Sequence, residues 1–150
     1  MGEEEVKKME DYIVIRTNIY GYSDRQNSLL KWAYDELNKN KKIYGYKNVI
    51  FNPVSIYQLA DAILILIQKN FKGILNIVSD KPISKFEFLK IIEEYLKKKN
   101  LVQESVLEDE NSNLKRPKNT ALSIKKMENI IEKRYKIEDG ITQVLRGVKK

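Results

Sequence analysis

The sequence predicts an α/β fold, and three observations support that prediction. Two helical segments open with complete capping boxes, Ser55-Ile-Tyr-Gln58 and Ser84-Lys-Phe-Glu87, in which a serine hydroxyl and a Gln or Glu side chain satisfy free backbone groups at a helix start. Short runs rich in β-branched and aromatic residues lie between the helical segments, at Tyr12 to Thr17, Lys42 to Tyr46 and Ile74 to Val78. Helix and strand signals therefore alternate through two successive α–β–α passages, the pattern of strands joined by helical crossovers. A chain of 150 residues buries roughly 68–70% of its unfolded surface, so residues 1–150 are read as a single domain.

In chain order, Glu3 to Met9 reads as the tail of a charged helix, followed by Tyr12 to Thr17 as a buried strand, which Asn18 and the turn Tyr20-Gly21-Tyr22 stop. Leu29, Leu30, Ala33 and Leu37 recur at helical spacing and predict a helix over about 27–39, with Asp24, Asn27 and Ser28 available as caps. Pro53 sets the entry to a helix running to about Lys69, with Ile56, Leu59, Ala60, Ile63 and Ile67 on its apolar face. The second capping box opens a helix to about Lys99 that is expected to bury Phe88, Leu89, Ile92 and Leu96. Leu101 to Leu107 reads as an edge strand and Glu108 to Asn113 as an acidic loop. Ser123 is expected to cap a helix to about Tyr135, and Ile137 to Leu145 supplies a last short helix.

Composition excludes a great deal. The chain has no Cys and no His, which removes disulfides, thiol nucleophiles and the commonest general base and metal ligand. No catalytic or metal-ligating residue is assigned. The six glycines, at 2, 21, 45, 73, 140 and 147, never adopt the spacing of a dinucleotide or phosphate loop. One Tyr-x-x-x-Lys spacing occurs, Tyr95 to Lys99, but 9 Tyr and 23 Lys in 150 residues give about 1.4 such matches by chance. It is read as a solvated helix end. The neighbouring pairs Asp35–Glu36 and Glu93–Glu94 point to different helix faces and are read as surface charge.

The net charge of +7 resides entirely in residues 115–150, which hold 11 basic and 4 acidic groups, against 17 of each in residues 1–114. Lys115, Arg116 and Lys118 cluster beside Pro117, where a guanidinium fork suits phosphate or carboxylate. No helix-turn-helix, aromatic ribonucleoprotein motif or zinc finger accompanies the charge, so nucleic acid is not expected as a partner. The longest apolar stretch, Leu59 to Ile67, is broken by Asp61 and is far short of the ~20 residues of a membrane span. Glu3, Glu4 and Glu5 stand where a secretory peptide is basic, and a cytoplasmic location is expected.

A collinear series of motifs resembles the extended short-chain dehydrogenases, in particular the dTDP-4-dehydrorhamnose reductase family. Tyr12-Ile-Val-Ile-Arg-Thr-Asn-Ile-Tyr-Gly21 is similar to the strand and turn that follow that family's catalytic helix. Asn52-Pro-Val-Ser-Ile-Tyr-Gln-Leu-Ala-Asp-Ala62 resembles its Ser-Pro loop and Leu-Ala-Asp-Ala helix, Gly73-Ile-Leu-Asn-Ile-Val78 its Gly-x-Tyr-His-Leu strand, and Ser84-Lys-Phe-Glu-Phe88 its Ser-x-Tyr-Glu-Phe helix start. Arg116-Pro-Lys-Asn-Thr-Ala-Leu122 resembles the Arg-Pro segment near the family's C-terminus, and Ile137-Glu-Asp-Gly-Ile141 its last helix. The similarity spans about residues 10–145, with Asn76 and Tyr46-Lys47 as departures where the family carries His and Asp-Gln.

The resemblance implies the C-terminal portion of an extended short-chain dehydrogenase, comprising the last Rossmann strands and a small α/β substrate-binding domain. The glycine-rich loop and catalytic Tyr-x-x-x-Lys of the family lie upstream of the strand that begins here at Tyr12. The N-terminal dinucleotide-binding domain is therefore expected to be absent, and NADPH or NADH to be engaged only with a Rossmann partner chain. By the same resemblance Thr17, Asn18 and Tyr20 face nicotinamide and sugar, Asn27 begins the helix flanking the nucleotide diphosphate, and Arg116 approaches a dTDP-sugar or similar anionic sugar nucleotide. Self-association is the alternative to a partner chain. Two other functions stay open at this stage: a non-catalytic regulatory subunit, as in the reductase relative that serves methionine adenosyltransferase, and a truncated remnant without activity.

Overall fold

The computed structural model describes residues 2–23, 28–108 and 117–148. Its elements run α1 (Gly2–Val6), β1 (Ile13–Arg16), β2 (Ile19–Tyr20), α2 (Leu29–Asn38), β3 (Ile43–Tyr46), β4 (Ile50–Phe51), β5 (Val54–Ser55), α3 (Ile56–Gln68), β6 (Gly73–Asn76), β7 (Ile83–Ser84), α4 (Lys85–Tyr95), β8 (Val102–Ser105), α5 (Lys125–Ile131) and α6 (Ile137–Arg146). The three β-branched runs become β1, β3 and β6, and both capping boxes form as the sequence predicts. Ser55 accepts from the Gln58 amide at 3.1 Å while Gln58 Oε1 accepts from the Ser55 amide at 3.0 Å. Ser84 and Glu87 repeat the exchange at 3.1 and 2.6 Å.

Parallel pairing dominates. β1 lies beside β6 with Ile13 opposite Gly73, β3 beside β8 with Ile43 opposite Val102, and β2 beside β5. Such pairs need long crossovers, which the helices supply. The exception is the antiparallel pair of β4 with β7. These two-residue strands at 19–20, 50–51, 54–55 and 83–84 are too short to leave a period in the sequence.

The apolar residues gather in two clusters. One is centred on Phe88 and joins Leu30, Ala33 and Leu37 of α2 to Leu89 and Ile92 of α4 and to Ile137 and Ile141 of α6. The other packs Ala62 and Leu66 of α3 against Leu75 and Ile77 and against Met127 and Ile131 of α5. No helix among the described residues is long and apolar enough to cross a membrane.

Strand β1 is not the buried strand expected: among the described residues only β6 pairs with it, and Ile13 and Arg16 at its ends are exposed. Four further expectations are corrected by the packing. Helix α3 buries Gln58, Ala62 and Leu66 rather than the face through Ile56, Ala60 and Ile67; Ile56 and Ile67 are 41% and 58% exposed. A helix apolar nearly all round carries no unique face in its sequence, and tertiary contacts choose one. Ser123 does not cap α5: the N-cap position is Ile124, without a side-chain bond, and the helix ends at Ile131 with Glu132 in the left-handed region. Tyr135 is buried in the following loop, its hydroxyl donating to Asp61 at 2.8 Å. Helix α4 ends at Tyr95, and the left-handed turn at Lys97 (φ 55°) takes Lys99 off the helix, so Tyr95 and Lys99 do not share a helical face.

Glu93 is the last of these corrections. It is not surface charge but only 2% exposed. Its Oε1 accepts from the amides of Leu101 at 2.6 Å and Val102 at 3.0 Å, and its Oε2 pairs with Lys90. The side chain thus satisfies the leading edge of β8 from the last turn of α4. Burial alone would raise the Glu93 carboxyl, but the Lys90 ammonium and the two amides outweigh it and hold it below the ordinary glutamate range.

Candidate functional site

The chain leaves β1 at Thr17 and Asn18, and the two sides of the molecule meet there. Asn18 Nδ2 donates to the carbonyl of Thr120 at 2.9 Å, while its own carbonyl accepts from the Val54 amide at 2.8 Å. Residues 117–120 run alongside β4: the Ile50 amide donates to the Lys118 carbonyl at 2.7 Å, and the Thr120 amide to the Ile50 carbonyl at 2.9 Å. Buried Asn52 extends the attachment, exchanging two hydrogen bonds with the backbone of Leu122 at 2.8 and 3.0 Å. The segment after Arg116 is thereby held against the strand exit, 102 residues away in sequence from Asn18. Arg116 and Asn27 themselves lie outside the described residues.

Thr17 turns its hydroxyl inward, where Oγ1 is buried with no hydrogen-bond partner. Tyr20 is 9% exposed, and its hydroxyl donates to the Ile137 carbonyl at 3.1 Å. Burial, with Glu138 and Asp139 adding to it, pushes the Tyr20 hydroxyl far above the ordinary tyrosine range, so this group stays protonated. Its ring, edge-on to Phe88 with centroids 5.1 Å apart, is the part that reaches a cavity. Ser28, next to Asn27, caps α2 by accepting from the Lys31 amide and donating to the Gly21 carbonyl at 2.8 Å.

Two clefts open here. One of about 390 Å³ is walled by Tyr20, Gly21, Tyr22, Phe51 and Lys85. The other, about 830 Å³, lies between α2, β3 and the Pro117–Thr120 segment and is lined by Trp32, Tyr44, Tyr46, Pro117 and Lys85 among others. Trp32, Tyr44 and Tyr46 are 40%, 64% and 41% exposed, flat apolar surfaces on which a ring can stack. Pro117 brings the residue after Arg116 to the wall of the larger cleft.

Three of the described basic residues at the C-terminal end are engaged away from these clefts. Lys133 pairs with Asp61 at 2.6 Å, Arg134 with Glu128 at 2.8 Å, and Lys126 donates to the Ile74 carbonyl at 2.7 Å. The half-buried cation of the clefts comes instead from the charge-balanced part of the chain. Lys85 stands with Nζ 3.5 Å from the centroid of the Phe51 ring, and burial pulls its ammonium down to about 8. Sequence reasoning passed over it. The one available signal is a lysine set among Ile83, Phe86 and Phe88.

The family model described as "RmlD substrate binding domain" matches residues 1–149. A dTDP-4-dehydrorhamnose reductase from Bacillus anthracis, solved in complex with NADP, superposes with a TM-score of 0.83 at 23% identity over 98% of this chain and 53% of that one. The Clostridium acetobutylicum reductase gives 0.76 at 20% identity, over 90% of this chain and 48% of that one. A hypothetical reductase from Sulfolobus tokodaii gives 0.71 at 26% identity, over 88% and 47%. No curated protein matches the sequence. The chain spans about half the length of these solved structures. With the family model matching residues 1–149, and with the strand exit, the Pro117–Thr120 segment and two capped helices assembled around a pair of clefts, the chain belongs to the RmlD substrate binding domain family.

Proposed function

We propose that the chain binds the sugar nucleotide of a dTDP-4-dehydrorhamnose reductase-like enzyme and does not by itself reduce it. The observation that supports this reading is the junction of Asn18 with Thr120, which joins the strand exit, whose Ile19 and Tyr20 line the smaller cleft, to the Pro117–Thr120 segment, whose ends line the larger. Hydride transfer to a keto-sugar requires a dinucleotide loop at a helix N-terminus and a tyrosine–lysine pair to protonate the alkoxide. These 150 residues contain neither a glycine-rich loop nor a helical Tyr-x-x-x-Lys. NADPH or NADH therefore enters with a Rossmann-type unit, while Thr17, Asn18, Tyr20, Asn27 and Arg116 serve the substrate side. Calorimetry with dTDP-rhamnose tests the reading. Wild type binds, and Arg116→Ala loses charge-assisted hydrogen bonds of about 1.5–3 kcal/mol, on the order of tenfold or more in affinity. Exposed Lys99→Ala changes it less than about twofold. Equal behaviour of the two variants would withdraw Arg116 from the site, and no binding by wild type would sink the reading.

The surface around β1 supports a partner. Among the described residues β1 pairs only with β6, leaving its other edge free. Ile13 and Ile67, 38% and 58% exposed, both line a cavity of about 460 Å³ between the start of β1 and the end of α3. A free parallel edge beside exposed apolar side chains favours association. Light scattering over a concentration series is expected to show self-association of the isolated chain that Ile67→Glu reduces. A mass that stays monomeric at every concentration argues against this surface being a docking face.

A further inference from the structure

The two clefts share a charged wall. Leu29 and Lys85 line both, so a ligand long enough to occupy the two spaces passes Lys85 on its way from one to the other. The larger space presents the aromatic surfaces of Trp32, Tyr44 and Tyr46, with Glu36 and Lys42 as two further lining charges of opposite sign, and the smaller the rings of Tyr20, Tyr22 and Phe51. At the partition between them stands an ammonium over Phe51. The Lys85 backbone amide is bonded to the Val49 carbonyl at 2.9 Å, which anchors the base of the side chain. Among the described residues no carboxylate pairs with it. Burial without a counter-ion destabilises the charged form, as its lowered pKa of about 8 reflects, and an anion placed beside it offsets that cost.

Two ring-lined spaces separated by one partly desolvated cation are complementary to a ligand with uncharged ends and an anionic middle. We infer that Lys85 is a specificity-determining binding residue that holds the diphosphate of a nucleoside diphosphate sugar, with base and sugar in the clefts on either side. The inference rests on the sugar-nucleotide reading above and adds to it a residue that neither the charge distribution nor the motif series indicates.

Calorimetric titration with dTDP, and separately with inorganic pyrophosphate, tests it on wild type, Lys85→Met and Lys85→Arg, alongside thermal melting of each. Loss of a charge-assisted contact of this kind weakens dTDP binding by about 10- to 100-fold in Lys85→Met. Lys85→Arg, which keeps the charge, retains affinity within a few-fold. Because Lys85→Met removes a desolvated charge and keeps an unbranched apolar stem, its melting temperature is expected to be no lower than that of wild type, which separates a binding role from a structural one. If Lys85→Met binds dTDP as wild type does, the inference is overturned and the sugar-nucleotide reading survives. If wild type holds pyrophosphate through Lys85 and gains nothing from the nucleoside, the sugar-nucleotide reading fails and the inference with it, and Lys85 is an anion contact only. If wild type takes neither probe, both are overturned.

Discussion

Glu93→Ala is expected to destabilise the chain by about 3 kcal/mol, because it strands the buried amide of Val102 and the half-buried amide of Leu101, and a buried group left unpaired costs about 1–3 kcal/mol. The amides are those of Leu101 and Val102 at the start of β8, which donate to Glu93 Oε1 at 2.6 and 3.0 Å. Urea denaturation of wild type and variant measures the difference. The sign of its pH dependence follows from the carboxyl being held below the ordinary glutamate range. A group with a depressed folded-state pKa contributes stability that is fully present above the unfolded value of about 4.3 and is lost as pH falls through the folded value. The gap between wild type and Glu93→Ala is thus expected to be constant at neutral pH and to narrow in acid below pH about 4.3. A gap that widens in acid, or a variant as stable as wild type at pH 7, would show that β8 does not depend on this carboxylate.

Gly45→Ala is expected to cost about 3 kcal/mol, at the upper end of overpacking effects. A Cβ at this position would lie 2.5 Å from the backbone Cα of Phe86 and 3.1 Å from Leu89 Cδ1, and a backbone atom in a helix cannot turn aside as a side chain can. Strand β3 would have to move off α4, which also distorts the larger cleft that both elements line. Gly73 is the contrasting case. Its φ of +108° is unfavourable for any side chain, yet nothing lies within 4 Å of its would-be Cβ. Gly73→Ala carries only a backbone penalty of about 1–2 kcal/mol. Denaturation midpoints of the two variants, and dTDP-rhamnose affinity measured at a temperature where both are folded, check the contrast: the Gly45 variant loses more stability and also loses binding. An equal loss in both would mean that the close approach of β3 to α4 costs no more to relieve than the backbone penalty at Gly73.

Local signals in the sequence account for the parts of the fold that local chemistry decides. Ser55 with Gln58 and Ser84 with Glu87 close their capping boxes because the bonding partners are three residues apart, and a contact of that range is written in adjacent positions. The β-branched runs at 13–16, 43–46 and 73–76 become strands for the same reason. The collinear motifs were legible as a resemblance because their order along the chain is itself sequence information. What the sequence could not decide depends on partners far away in the chain. Which face of α3 is buried depends on α5 and β6, and apolarity on all sides of α3 left no local preference. Glu93 reads as one of two adjacent surface charges until β8, eight and nine residues downstream, places two amides beside it. Asn18 reads as a strand stop until Thr120 meets it. Lys85 reads as an unremarkable helix-start lysine until Phe51, Leu29 and two clefts close around it. Burial, and with it the cost of a charge or an unpaired amide, is a property of surroundings assembled by tertiary structure, so the residues that bear most on the site are those whose character the fold alone determines.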